Sequence, residues 1–195
     1  MKKINSTAVV LKAENIDTDQ IIPAKFLKST SKEGFGDKLF YNWRYDESGN
    51  ERSDFALQAF NPQSEILIAG NNFGCGSSRE HAAWAIADYG FKAIITSQFA
   101  DIFKGNALNN GILPIVVSED ALRVLIKYFT EHKSTQIQID VQLQELRVTE
   151  EDIIVNIRFD LDPMKKKFLM EGLTEIDYLI NLKSRIVDFE STISL

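Results

Sequence analysis

Short apolar runs separated by polar turns mark out the middle of this chain. Thr7-Ala8-Val9-Val10-Leu11 reads as a first strand. Ile66-Leu67-Ile68-Ala69 and Ala93-Ile94-Ile95-Thr96 are continuous apolar runs of strand length, the pattern of strands covered on both faces. Ile112 to Val117 is strand-like as well, and Pro114 within it lacks a ladder donor, which predicts an edge or a bulge. Helical patterns alternate with these runs. Ala82 to Ala87, with Trp84 and Ile86, is apolar nearly all round and predicts a buried helix. Phe99 to about Asn109 predicts a helix stopped by Asn110-Gly111. Ser118 is a good N-cap for a further helix whose apolar face is formed by residues 121, 122, 124, 125, 128 and 129.

The flanks follow a different rhythm. Ile137, Ile139, Val141 and Leu143 alternate with polar residues, as do Ile153, Val155, Ile157 and Phe159, which predicts an antiparallel section. Asp162-Pro163 caps and starts a helix, and Thr174 with Asp177 forms a capping box for another, giving a C-terminal helical appendage over about 162–195. Residues 24–54 show no clean period. Gly34, Gly36, Ser48, Gly49 and Asn50 mark turns among Phe35, Leu39, Phe40, Tyr41, Trp43 and Tyr45. Such a stretch is either a functional loop, lid or partner surface, or an aromatic patch packed on the chain's own core. The expected fold is α/β: a mixed sheet flanked by helices, in a single domain spanning 1–195.

Composition narrows the function. At 195 residues, 44% hydrophobic and 26% charged, the chain has the make-up of an ordinary soluble globular protein. Its net charge of −6 argues against bulk binding to nucleic acid or to an anionic membrane. The apolar run Ala8 to Leu11 is too short for a signal segment, and no run approaches membrane-spanning length. The one cysteine excludes an internal disulfide and a cysteine-built metal or cluster site, and a single thiol suits a reducing cytoplasm.

The candidate chemistry gathers in Gly70-Asn71-Asn72-Phe73-Gly74-Cys75-Gly76-Ser77-Ser78-Arg79-Glu80-His81, between a strand and a helix. Glycines let the backbone approach a ligand, and the following helix turns its free N–H groups and positive dipole end toward the loop. Together they describe an anion site, with Arg79 able to fork onto a carboxylate. In α/β sheets ligands sit beyond the carboxyl ends of the strands, where this loop falls. A dinucleotide fingerprint fails because Arg79 stands where the third glycine belongs and no acidic residue closes the next strand. A P-loop fails because no Gly-Lys-Ser/Thr occurs. By residue type alone Ser77 reads as an N-cap, and as a reactive alkoxide if helix dipole, loop amides and Arg79 lower its pKa. A cation in the first helical turn opposes the dipole, so Arg79 hints at a bound anion. His81 reads as a packed side chain or a base, and Cys75 as a packed thiol. Asp17 and Asp19 read as turn and cap residues or as ligands for a hard cation. Lys165-Lys166-Lys167 reads as a solvated helix face.

Four blocks carry a resemblance: Asn15 to Pro23 with Asp17-Thr18-Asp19-Gln20, Asn72 to His81, Phe99-Ala100-Asp101-Ile102-Phe103, and Asn110 to Ile115. Taken together, the chain resembles the small subunits of 3-isopropylmalate dehydratase, the separate β/β/α swivelling domain of the aconitase superfamily, over essentially its whole length. Gly34-Phe35-Gly36 and Asn42-Trp43-Arg44 favour this member over sister enzymes acting on citraconate, homoaconitate or dimethylmalate. The resemblance implies a hydro-lyase of leucine biosynthesis that interconverts 2- and 3-isopropylmalate. It implies a large-subunit partner bearing a 4Fe–4S cluster, with no cofactor or metal on this chain. It also implies Ser77 as catalytic base, with Arg79, Ser78, Gly76 and Asp19 binding a dicarboxylic hydroxy acid. Ala83 and Gly105 depart from the expected pattern, and substrate choice is expected to reside in 24–54. The alternative outside this class is a non-catalytic carboxylate-binding module.

Overall fold

The computed structural model describes residues 1–28, 31–53, 55, 63–150 and 153–193. Its strands form two four-stranded sheets. The parallel sheet has the order β2 (Ala8–Leu11), β3 (Ile66–Ala69), β4 (Ala93–Thr96) and β5 (Leu113–Val116). The antiparallel sheet has the order β1 (Lys3–Ser6), β6 (Ile137–Asp140), β7 (Glu145–Glu150) and β8 (Ile153–Arg158). Both expected strand directions are present, but each keeps to its own sheet. Pro114 sits on the edge strand β5, where its missing N–H breaks no ladder.

Strands β2 and β3 are buried along their whole length, and alternation sends their side chains to two cores. Val9, Leu11, Leu67 and Ala69 face helices α3 (Glu80–Tyr89) and α4 (Asp101–Asn109). Ala8, Val10, Ile66 and Ile68 face helix α5 (Glu119–Glu131) and the inner side of the antiparallel sheet, including Ile4, Ile139 and Leu146. The parallel sheet is thus the shared wall of a layered structure, with α3 and α4 on one face and α5 with the second sheet on the other.

Helix starts follow the capping residues. Ser118 Oγ accepts from Ala121 N at 3.2 Å, Asp162 caps α6 (Pro163–Glu171), and Thr174 with Asp177 makes the reciprocal box of α7 (Glu175–Asn181). A last helix, α8, spans Lys183–Thr192. In α5 the buried positions are Leu122, Leu125 and Phe129, whereas Val124 lies outward, so the core stripe is narrower than the apolar pattern. The alternating run from Ile137 outlasts its strand. Asp140 Oδ1 accepts from Leu143 N at 2.9 Å and turns the chain, leaving Leu143 exposed.

Much of segment 24–54 is fixed to the core. Two short helices join 3₁₀ turns at Ala24–Phe26 and Gly36–Lys38: α1 (Thr18–Ile21), which leads into the segment, and α2 (Tyr41–Arg44) within it. Phe35, Leu39 and Phe40 are completely buried, and Phe40 stacks on Trp43 with ring centres 5.2 Å apart. Buried Arg44 donates to the carbonyls of Gly36, Asp37 and Leu39 at 3.1, 3.3 and 3.4 Å. The blocks around Gly36 and Trp43 therefore hold the segment onto α3. Residues 29, 30 and 54 of the segment lie outside the described residues.

Candidate active site

Beyond β2, β3 and β4 the chain continues the parallel sheet by single bridges rather than full ladders. Asn15 N donates to Asn71 O at 2.8 Å, Gly74 N to Ile16 O at 2.7 Å, and Thr18 N to Cys75 O at 2.9 Å. On the other side Phe73 N donates to Gln98 O at 2.9 Å and Ala100 N to Phe73 O at 3.1 Å. The glycine-rich loop is thereby clamped between the segments that follow β2 and β4, at the carboxyl end of the sheet.

Two glycines make this clamp possible. Gly74 has φ +76° and lies against the Phe103 ring; a β-carbon there would come within 2.2 Å of Phe103 Cγ. Gly76 has φ +87° and lies against α1, where a β-carbon would come 3.4 Å from Asp17 Cβ. Phe73, Phe99 and Phe103 form a buried aromatic floor under the loop, with Phe73 and Phe103 centred 5.2 Å apart at 71°.

Gly76, Ser77 and Ser78 emerge from this clamp exposed. Ser77 does not cap α3, contrary to the expectation from residue type. Its carbonyl accepts from Thr18 Oγ1 at 2.9 Å and from Arg79 N at 2.8 Å, which holds the serine in a turn ahead of the helix. The N-cap position is Arg79, extended at φ −93° and ψ 107°, and it makes no side-chain cap bond. The hydroxyl of Ser77 is consequently not committed to capping, and it stands close in sequence to the free N–H groups that open α3.

Arg79 has an anion within its own chain. Its Nη1 donates to Asp19 Oδ1, a contact that joins residues far apart in sequence. Asp19 also accepts from Ala24 N at 3.0 Å. The Arg79 hydrogen bond holds the Asp19 carboxyl below its ordinary range, partly opposed by desolvation. The Arg79 side chain is 22% exposed and that of Asp19 is 56% exposed, so the pair lies at the rim and is open to a competing ligand. Asp17 caps α1, accepting from Gln20 N at 2.7 Å while Gln20 Oε1 accepts from Asp17 N at 2.9 Å. The structure therefore brings Gly76, Ser77, Ser78, Arg79 and Asp19 together, and assigns Asp17 to capping and Asp19 to an ion pair.

The neighbouring groups are packed. His81 lies against Trp84 and Phe35, with ring centres 4.5 and 5.5 Å away. Cys75 Sγ donates to Asn15 O at 3.4 Å, and burial, with nearby Asp17, pushes its thiol pKa up, away from thiolate. Among the described residues no group of three or more His, Cys, Asp or Glu is placed to hold a metal ion. The donor set does not fit a cluster, because one thiol with a raised pKa cannot supply the thiolates that a cluster needs. Among those residues, too, no helix is long and apolar enough to cross a membrane. Thr18 and Phe103 are the site residues that sequence reasoning missed. Both lie inside blocks quoted for the resemblance, but neither carries a sign of its contact with the loop.

The comparisons with known proteins agree with this geometry. A family model of the aconitase C-terminal domain matches residues 1–120. The chain is 50% identical to the 3-isopropylmalate dehydratase small subunit of Christiangramia forsetii, over 96% of this chain and 90% of that one. It is 46% identical to the same-named protein of Cytophaga hutchinsonii, over 97% and 93%. The crystal structure of 3-isopropylmalate dehydratase from Methanocaldococcus jannaschii superposes with a TM-score of 0.68 at 26% identity, covering 97% of this chain and 99% of that one. By match, identity and fold, this chain belongs to the aconitase C-terminal domain family and, within it, to the small subunits of 3-isopropylmalate dehydratase.

Proposed function

We propose that this chain supplies half of an active site that interconverts 2-isopropylmalate and 3-isopropylmalate in leucine biosynthesis. The other half belongs to a large subunit carrying a 4Fe–4S cluster, and the pair works in the cytoplasm. The observation that carries the reading is an exposed serine, held by its carbonyl rather than its hydroxyl, beside an arginine at the carboxyl end of a parallel sheet. The kinship to small subunits with near-complete coverage supports it.

The reaction removes a proton from the carbon next to the one bearing the hydroxyl, and that carbon lies beside a carboxylate. Ser77 Oγ, as alkoxide, takes the proton and forms an O–H bond while the electron pair becomes the new double bond. The bound cluster would act as a Lewis acid for the departing hydroxide. In the reverse sense water's hydroxide adds at the neighbouring carbon and Ser77 returns the proton. The helix N–H groups and the loop amides near Gly76 and Ser78 favour the alkoxide and the negative charge that builds on the substrate. Arg79 grips a substrate carboxylate with its fork, and Asp19 orients that fork. The exposed part of segment 24–54 would face the substrate side chain and set preference.

The test is reconstitution. The chain should be inactive alone and active after mixing with its purified large subunit. Ser77→Ala should bind the partner normally but lose about 10²- to 10⁴-fold in kcat, the usual contribution of a general base. Near-wild-type turnover would remove Ser77 from this role.

A further inference from the structure

The C-terminal helices carry a core pattern with no core beneath it. In α7, Ile176, Leu179 and Ile180 follow the three–four spacing of one helical stripe, and Ile186 and Phe189 of α8, with Ile193 just past its end, do the same. All six are exposed, Ile180 at 62% and Phe189 at 63%. Helix α7 is tied to the body from its other side, where Tyr178 packs on Phe168 with ring centres 5.5 Å apart. Helix α8 buries no residue at all and has no side-chain N-cap. An isolated helix of such length is marginal in water, and helices this short are normally held by packing of their apolar face.

We propose that this stripe is a docking surface for the large subunit, a proposal that rests on the reading of the chain as half an enzyme. Two observations select that occupant over a second copy of the chain. The first is continuity. Helix α6, which carries α7, reaches α4 through Lys165 Nζ to Asn109 Oδ1 at 3.3 Å. The next residue, Asn110, donates from Nδ2 to Glu80 Oε1 at 3.1 Å, and Glu80 follows Arg79 in the loop. Ile176 lines the same cleft as Asn109 and Lys165, so the α7 end of the stripe and the Ser77 loop are linked through one short run of surface, which a single large partner can cover. The second is area. Six such side chains offer roughly 60–120 Å² each, so about 400–700 Å² in total. That falls short of the ~800 Å² per partner of a stable interface, so the stripe suffices only together with more surface, such as that around the loop.

The test uses the full chain and its purified large subunit. In the double variant Ile180→Gln with Phe189→Gln, glutamine keeps the helix propensity while removing the apolar surface. Glu190→Gln on the same helix is the control. Far-UV circular dichroism and thermal unfolding of the isolated chains should coincide, since the changed side chains touch little of their own chain. The dissociation constant, from sedimentation or calorimetry, should rise at least 30-fold for the double variant and less than 2-fold for the control. At saturating small subunit, kcat should be unchanged. An unchanged dissociation constant overturns the proposal. So does loss of helix content in the double variant without loss of binding. A wild-type chain that dimerises on its own, and is made monomeric by the substitutions while partner binding persists, assigns the stripe to a second copy and also overturns it. A wild-type pair that binds tightly but does not turn over isopropylmalate refutes the functional reading instead, and leaves the docking result to stand on the binding measurement.

Discussion

Gly74→Ala tests the claim that a close approach between backbone and ring sets the loop. The new β-carbon would lie 2.2 Å from Phe103 Cγ and 2.6 Å from its Cβ and Cδ1, at a φ of +76°. Two costs arise. Holding a non-glycine residue in the left-handed region costs about 1–2 kcal/mol. Forcing a methyl group into a filled core costs about 1–3 kcal/mol more, because Phe103 is 2% exposed and is packed against Phe73 and Phe99. The total is about 2–5 kcal/mol, which for a chain of this size lowers Tm by roughly 4–20 °C. Urea unfolding, followed by fluorescence, measures it directly.

The two costs separate in a double-mutant cycle. Phe103→Ala alone should cost about 3–5 kcal/mol by opening a cavity. With both substitutions the contacts with the ring are gone, but the Cβ that alanine keeps at position 103 still lies 2.6 Å from the new methyl group, so the backbone cost and part of the steric cost of Gly74→Ala should remain. The cycle should therefore show a favourable coupling of about 0.5–2 kcal/mol, the part of the clash that the ring supplies. Additivity within about 0.5 kcal/mol would refute the steric argument and leave backbone conformation as the whole effect. A Gly74→Ala chain as stable as wild type would refute both.

Other outcomes follow from the same contacts. Gly105 lies inside α4 with open space where a β-carbon would go, so Gly105→Ala should stabilise the chain by about 0.5–1 kcal/mol in urea unfolding. Arg79→Lys should raise KM about 10-fold or more in the reconstituted enzyme, because a lysine cannot fork onto a carboxylate. Because Asp19 is held below the ordinary carboxylate value of about 3.9, its contribution to stability is present above that pH and lost as pH falls through the lower folded value. Asp19→Asn should accordingly flatten the stability profile below about pH 4 relative to wild type, and parallel profiles would remove the ion pair from the account. Exchanging the exposed part of segment 24–54 with that of a homoaconitase-type relative, while keeping Phe35 to Arg44, should shift substrate preference; unchanged preference across a panel of hydroxy acids refutes that placement.

What the sequence disclosed depended on how much of each element's environment was local. The parallel strands are buried on both faces, so their apolar runs announce them. Strand β1 has only Ile4 as a large apolar residue, and β7 only Leu146 and Val148, because one face of the antiparallel sheet meets water. Those two strands were not legible; they are defined by pairing, Ile4 with Ile139 and Leu146 with Ile157. Caps at Ser118, Asp162 and Thr174 were legible, since each involves a few adjacent residues. The cap of α3 was not, because the hydroxyl that holds the Ser77 carbonyl ahead of the helix comes from Thr18, far back in the chain. In the candidate site, the glycine spacing and the hydroxyl–arginine pair were legible. The partner of Arg79 was not, since an ion pair between distant segments leaves no periodic trace.

Under the proposed function, that ion pair would let an acidic chain keep an arginine ready for a dianion. A rim pair between Asp19 and Arg79 contributes only about 0–1 kcal/mol, given its exposure. A substrate carboxylate can therefore share or replace Asp19 at small cost. The benefit lies in order: the guanidinium already sits beside the loop, and the rotamer entropy of about 2 kcal/mol that a free arginine would lose on binding is largely spent on folding. Thr18 plays the corresponding part for Ser77. It is buried, and its hydroxyl holds the Ser77 carbonyl at 2.9 Å, so the serine is positioned through its backbone while its own hydroxyl stays available. Thr18→Val keeps the shape and removes that one bond, worth about 1 kcal/mol. In the reconstituted enzyme it should lower kcat by roughly 5- to 10-fold with little change in KM or in partner binding. If KM rises instead while kcat holds, Thr18 serves substrate binding, and the argument that the backbone clamp positions the base fails.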